Sequence, residues 1–240
     1  MNELFERAKT YLSFTKEEFL ELAIAALLFG FVFAFRQWSV PNLFVSILIA
    51  GLSVLFHITA QKIAALHYGY KAEFKVWWVG LIIPLIFVFI SNGTLWWLII
   101  PGGLTFSLLA GLRLGKFRYG LNYEAMGVIS LIGPVASIVL ATIFKQIDIW
   151  FFASSSVIFH NIFIFNLAYA VCQLLPIPPL DGHYLFYASR LTYSFLFGTI
   201  FTYVILALVF TFYSWIFALL AGGLIWLIYY VGFERKVWYG

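Results

Sequence analysis

An all-α, polytopic membrane protein is the fold class this sequence predicts, and three observations predict it. Of its 240 residues 64% are apolar and only 10% charged, against roughly a quarter charged in soluble domains. The apolar residues are gathered into long runs with few charges inside them. The longest, Ser194–Val231, has no formal charge and is too long for one crossing of a hydrocarbon core of roughly 30 Å. About seven transmembrane helices, with one irregular membrane-embedded segment among them, account for the pattern. Length leaves room for a single integral membrane domain, residues 20–240, preceded by residues 1–19 as an interfacial segment.

That opening segment mixes Glu3, Glu6, Arg7, Lys9, Lys16, Glu17 and Glu18 with Leu4, Phe5, Tyr11, Leu12 and Phe14. It reads as an amphipathic stretch lying on the membrane surface, without the long apolar centre of a cleavable signal. Leu20–Phe35 is the first span, closed by Arg36. Asn42–Leu66 is the second and carries Ser53, His57, Thr59, Gln61 and Lys62, the lysine reading as one that snorkels to the interface. Val76–Ile90 is the third apolar run. Thr94–Leu112 is apolar too, but Pro101-Gly102-Gly103 interrupts it. It should therefore lie as extended or re-entrant chain, which membrane depth tolerates only where protein shields it. Ala125–Phe144 and Ser155–Leu175 are the next two spans. His160 and Asn166, deep in the latter, read as partners for hydrogen bonds between helices. Ser194–Val231 divides near Tyr213-Ser214-Trp215 into the last two.

Orientation follows from the basic residues. If Val76–Ile90 goes out and Thr94–Leu112 returns, 12 of the 14 fall on one side, leaving Arg36 and Lys145 opposite. A single net crossing there would divide them 7 and 7. The positive-inside bias selects the first arrangement, with both termini cytoplasmic and with His57 and Asp181 on one side of the membrane. The net charge of +4 is small and dispersed; lipid is the expected surroundings, and nothing points to nucleic acid. One cysteine, Cys172, leaves no intrachain disulfide.

The stretch of greatest chemical interest is Leu174-Leu175-Pro176-Ile177-Pro178-Pro179-Leu180-Asp181-Gly182-His183. A helix cannot run through those prolines. Asp181 is then a carboxylate between two membrane-grade apolar segments, which marks a functional site by default. It could equally cap the next helix, accepting hydrogen bonds from its free backbone donors.

Three motifs together resemble the site-2 protease family, intramembrane zinc metalloproteases. The late motif is Gln173 through Pro176, Pro178, Asp181 and Gly182, similar to the family's N-x-x-P-x-P-x-x-D-G. The middle one is Gly133-Pro134-Val135-Ala136-Ser137, similar to its G-P-x-x-S. The early one, His57-Ile58-Thr59-Ala60-Gln61, stands where the family has HExxH. Tyr68-Gly69-Tyr70-Lys71-Ala72-Glu73-Phe74 is similar to the stretch on the C-terminal side of HExxH in archaeal members. Order and spacing agree over about residues 42–231, the expected site-2 protease-like core.

The resemblance implies that His57 and Asp181 are the positions of two zinc ligands. Histidines at i and i+4 lie on one helix face and can clamp one ion, but position 61 holds Gln61, whose neutral amide is a poor substitute. The general-base position holds Ile58, which can neither take nor give a proton. His183, two residues past Asp181, is the residue best placed to substitute as a ligand. The expectation is a pseudoprotease with no cofactor or weakly bound zinc, binding a transmembrane helix or partner protein. An active metallopeptidase with a rebuilt metal site on His57 and Asp181 is the alternative, and a channel or transporter a third reading.

Overall fold

The computed structural model describes residues 9–109, 122–210 and 213–234. The elements in chain order are α1 (Lys16–Ala34), a 3-10 turn (Phe35–Gln37), α2 (Val40–His67), β1 (Tyr70–Val76), α3 (Trp78–Ile90), β2 (Gly102–Leu108), α4 (Tyr123–Phe152), α5 (Val157–Gln173), α6 (Asp181–Ala188), α7 (Arg190–Val209) and α8 (Trp215–Tyr229), closed by a π turn at Tyr230–Glu234. Five helical stretches are long and apolar enough to cross a membrane: 16–37, 40–67, 123–152, 190–209 and 215–234. The apolar helices α3 and α5 are shorter. The protein is an integral membrane protein built mainly of helices.

It is not purely helical. β1 and β2 pair antiparallel from Tyr70↔Leu108 to Val76↔Gly102. The apolar run expected to be extended, 94–112, lies as turns at 94–97, non-helical chain and then the strand β2; its last three residues fall outside the described ones. Its glycines explain the path. Gly102 has φ +153, and a side chain there would strike the Lys75 carbonyl, while one at Gly103 would strike the Pro179 carbonyl. The partner strand β1 was not foreseen. Its alternation of buried Tyr70, Ala72 and Phe74 with less buried Lys71 and Glu73 is the period of a half-buried strand.

Side chains cap part of each outer edge of this sheet. Glu18 accepts from the Phe74 amide at 2.9 Å and Glu21 from the Val76 amide at 2.8 Å. On the other strand the Gly102 carbonyl accepts from Gln173 at 3.2 Å and the Leu104 carbonyl from the Tyr184 hydroxyl at 3.1 Å. Backbone groups left open on an edge strand invite pairing with another chain, and here these four are satisfied from α1, α5 and α6.

α1 begins earlier than expected. Thr15 and Glu18 form a reciprocal capping box, so Lys16–Phe19, placed above in the interfacial segment, is the first turn of the helix; residues 1–8 of that segment lie outside the described ones. Lys62 does not snorkel. It is 3% exposed and bonds both Glu18 oxygens at 2.9 Å, beneath the Phe14 ring. α4 runs past Phe144 because Lys145 and Asp148, one turn apart, pair at 3.2 Å within the helix. Asp148 is fully buried and accepts from the Ser156 amide, fixing the connection to α5. Ala153 then ends the helix in a left-handed conformation. Asn166 does bond across helices, to Ser53 at 2.8 Å. His160 does not sit deep in its span as expected but stands exposed in the first turn of α5. The largest cluster of buried apolar side chains joins α1, α2, both strands, α4 and α5. α7 and α8 form a hairpin at the side, α8 burying only Ala218 and Gly222.

Candidate functional site

The site is assembled from one turn of α2, the middle of α4, the ends of α5 and β2, and the start of α6. His57 and Gln61 project from α2 one turn apart, each 1% exposed. α4 can lie against them because position 133 has no side chain: a β-carbon there would collide with His57 Nε2 and the Gln61 amide nitrogen. The Gly-Pro motif thus keeps the two helices in close contact at the histidine. Position 182 is constrained in the same way, since a β-carbon at Gly182 would strike the Leu174 carbonyl. Short turns, Ile177 N to Leu175 O and Leu180 N to Ile177 O, both 2.8 Å, carry the chain from α5 back to α6.

This corner aims Asp181 at His57. Asp181 Oδ2 lies 2.9 Å from His57 Nε2, and Ser137 Oγ lies 2.8 Å from His57 Nδ1. Asp181 is the first residue of α6; the capping position is Leu180, which makes no side-chain cap. Of the two roles open to this carboxylate, the structure shows the one directed at the histidine. A neutral imidazole satisfies both contacts when Nε2–H donates to Asp181 and Nδ1 accepts from the Ser137 hydroxyl. Tyr169 packs on the ring at 4.6 Å between centroids. Gln61 donates its amide to the Ser130 carbonyl at 3.2 Å. Gln173 donates to Gly102 O and to the Tyr169 hydroxyl, both at 3.2 Å, while its own oxygen has no partner. Ile58 is 1% exposed beside them.

The enclosed space is small. His57, Ile58, Gln61, Phe74, Gly102, Gly103, Leu104, Tyr169, Gln173 and Asp181 surround a cavity of about 10 Å³, at the lower limit for a single water molecule. Ser137 lies on the far side of the ring, fully buried and outside this cavity. The Ser137–His57–Asp181 series therefore lacks the space at the hydroxyl that a serine nucleophile needs, and Ser137 acts by fixing the ring.

Zinc is tested by the donor set. Two groups of ligand type, His57 Nε2 and Asp181 Oδ2, converge. These two are 2.9 Å apart, in direct hydrogen-bond contact. The next group on the α2 face is a carboxamide already engaged with Ser130. Among the described residues no three of His, Cys, Asp and Glu are gathered as a metal group. His183 does not complete the set: it packs on Tyr187 at 4.7 Å and Tyr184 at 5.5 Å and does not line the cavity. Partial burial holds its ring below the usual imidazole pKa. His67 is exposed at the end of α2. These residues do not fit a catalytic zinc, which needs three protein ligands, an open position and a group to manage a proton.

Tyr169 and Ser130 were not anticipated from sequence. Tyr169 lies one helical turn before Gln173, a spacing that would have put it on the same face. The Ser130 carbonyl has no side-chain signal at all.

Comparison with known proteins gives one informative relative. The chain is 30% identical over 171 residues, 70% of its length and 83% of the other's, to a protein of Methanocaldococcus jannaschii named "Putative zinc metalloprotease MJ0611". No family model matches, and no solved structure does.

Proposed function

The chain belongs to the site-2 protease-like family of zinc metalloproteases, as an archaeal-type member, and from that premise we propose that it is a pseudoprotease. It holds a transmembrane helix or membrane partner without cutting it. The observation that carries this reading is Ile58: where the family has its glutamate, an apolar side chain is packed at 1% exposure against the cavity. Losing a general base costs about 10²–10⁴ in rate, and Gln61 in place of an imidazole removes a ligand as well. In this reading zinc is held weakly or not at all. The bilayer contains seven helical crossings, with the short α3 returning through β2, and both termini are cytoplasmic, as the basic residues suggest.

A second reading, an active metallopeptidase with a rebuilt site, is favoured by one observation: His57 and Asp181 still converge, and Ser137 fixes the ring so that Nε2 faces the carboxylate. One experiment separates the two. Wild type, Ile58→Glu, Gln61→His and the double variant are purified, assayed for metal content and offered a model transmembrane helix. The pseudoprotease reading expects substoichiometric zinc and no cleavage in wild type, with metal affinity rising mainly in variants carrying Gln61→His. Stoichiometric zinc and chelator-sensitive cleavage in wild type would establish the second reading.

A further inference from the structure

A second polar cavity lies at the opposite end of α2. It measures about 160 Å³ and is lined by Phe33, Arg36, Gln37, Asn42, Ser46, Trp96, Asn161 and Ile164. Ser46 is eleven residues before His57 on the same helix, so the cavity is roughly 16 Å or more from the His57–Asp181 contact. It lies where the end of α1, the start of α2 and the start of α5 meet, beside the chain that follows α3.

Its lining is rich in donors and holds no carboxylate. Arg36 has no ion-pair or side-chain hydrogen-bond partner among the described residues, and neither do Ser46, Trp96 or Asn161 through their side chains. Ser46 is 1% exposed, yet its hydroxyl bonds to no described residue at a wall of this cavity. The acid at the neighbouring end of α4 is Asp148, and it is already paired with Lys145. The other described acids are on the first turns of α1, on β1, at the start of α4, on α6 and in the last π turn. An exposed guanidinium with no ion-pair partner among the described residues, beside a polar cavity into whose wall a buried, unpartnered hydroxyl is set, next to the capped N-terminus of α2, favours an anion.

We propose that this cavity binds a phosphate-type anion, with Arg36 as its counter-charge and Asn161 and Ser46 as hydrogen-bond donors. The volume limits the ligand. It accommodates a phosphate and a few attached atoms, whereas pockets for larger organic ligands run to roughly 300–1,000 Å³. Trp96 lines this cavity and Trp38 stands in the short link before α2, and tryptophan is enriched at membrane–water boundaries. A phospholipid headgroup and free phosphate are the two sources of that chemistry. This proposal is independent of whether the His57–Asp181 site binds metal or acts on a substrate.

The test uses full-length protein, delipidated in neutral detergent. Thermal midpoint and native mass spectrometry are followed on adding phosphatidylglycerol, diacylglycerol with the same acyl chains, or inorganic phosphate. Wild type should retain phosphatidylglycerol and gain thermal stability from it, with no such effect of diacylglycerol. Arg36→Met and Asn161→Leu should each weaken retention about tenfold or more, and Arg36→Lys should keep most of it. If inorganic phosphate alone gives the same Arg36-dependent shift, the ligand is soluble phosphate. Diacylglycerol acting as well as phosphatidylglycerol would overturn the proposal. So would folded Arg36→Met and Asn161→Leu variants that retain phosphatidylglycerol and respond to phosphate as wild type does.

Discussion

Removing Lys62 should unfold this protein more readily than removing most of its apolar contacts. Lys62 is the counter-charge of Glu18, and both are at most 3% exposed. Glu18 also accepts from the Thr15 amide at 3.0 Å and the Phe74 amide at 2.9 Å. One carboxylate thus ties the start of α1 to α2 and to the edge of β1. In Lys62→Met those two amides remain, but the buried charge has no partner. Breaking a buried pair on one side costs about 3–5 kcal/mol. Neutralising the survivor should reverse much of that, because the carboxamide oxygen introduced by Glu18→Gln can still accept from Phe74 while no bare charge stays buried. The cycle of Lys62→Met, Glu18→Gln and their combination should therefore be strongly non-additive, with a coupling of about 2 kcal/mol. Unfolding in mixed micelles, titrated with a denaturing detergent and followed by circular dichroism, measures it. A Lys62→Met protein within about 0.5 kcal/mol of wild type would refute the reasoning, and so would a double variant as unstable as the two singles added together.

Gly133→Ala should destabilise by about 1–3 kcal/mol, since its β-carbon meets His57 and Gln61; the same unfolding titration reads it, and Gln61→Ala should relieve only part. Gly103→Ala should cost at least as much, because the obstacle is the Pro179 carbonyl, which is backbone and cannot swing aside. Asp181→Ala leaves the buried His57 Nε2 without an acceptor and should cost about 1–3 kcal/mol. Asp181→Asn, which keeps an acceptor oxygen, should lose less than half as much in the same assay.

The motif residues were legible because each carries a backbone or side-chain demand that spacing alone conveys. Pro176, Pro178 and Pro179 forbid helix, and the chain turns there. Gly102 and Gly103 interrupt an apolar run, and the strand follows. The division of residues 194–231 at Ser214 follows from length against bilayer thickness. The features that escaped notice are mostly pairings across distance. Lys62 looked like an interfacial lysine because Glu18, 44 residues earlier, gave no local sign of turning inward. The span was ended at Phe144, just before Lys145, whereas the pairing of Lys145 with Asp148 lets α4 continue to Phe152. β1 went unread because seven residues of half-polar chain are a weak signal beside twenty-residue apolar helices. Its stability also comes from β2 and from the two glutamates of α1, none of them its neighbours in sequence.

The contact between His57 and Asp181 has a physical logic. With Gln61 and Ile58 as their neighbours on α2, His57 and Asp181 are a complementary donor and acceptor in a buried interior. Leaving either unsatisfied there costs about 1–3 kcal/mol, so they close to 2.9 Å. Gln61 then takes a carbonyl of α4, and Ile58 fills space that a charged base would have needed to share with water. The helix-packing glycines, Gly133 and Gly182, serve the crossing of backbones, and a side chain at either would collide whatever chemistry the site performs. Ile58→Glu made without Gln61→His would bury a second carboxylate near Asp181, raising the cost of folding. The stability of that single variant should consequently fall below both wild type and the double variant measured in excess zinc.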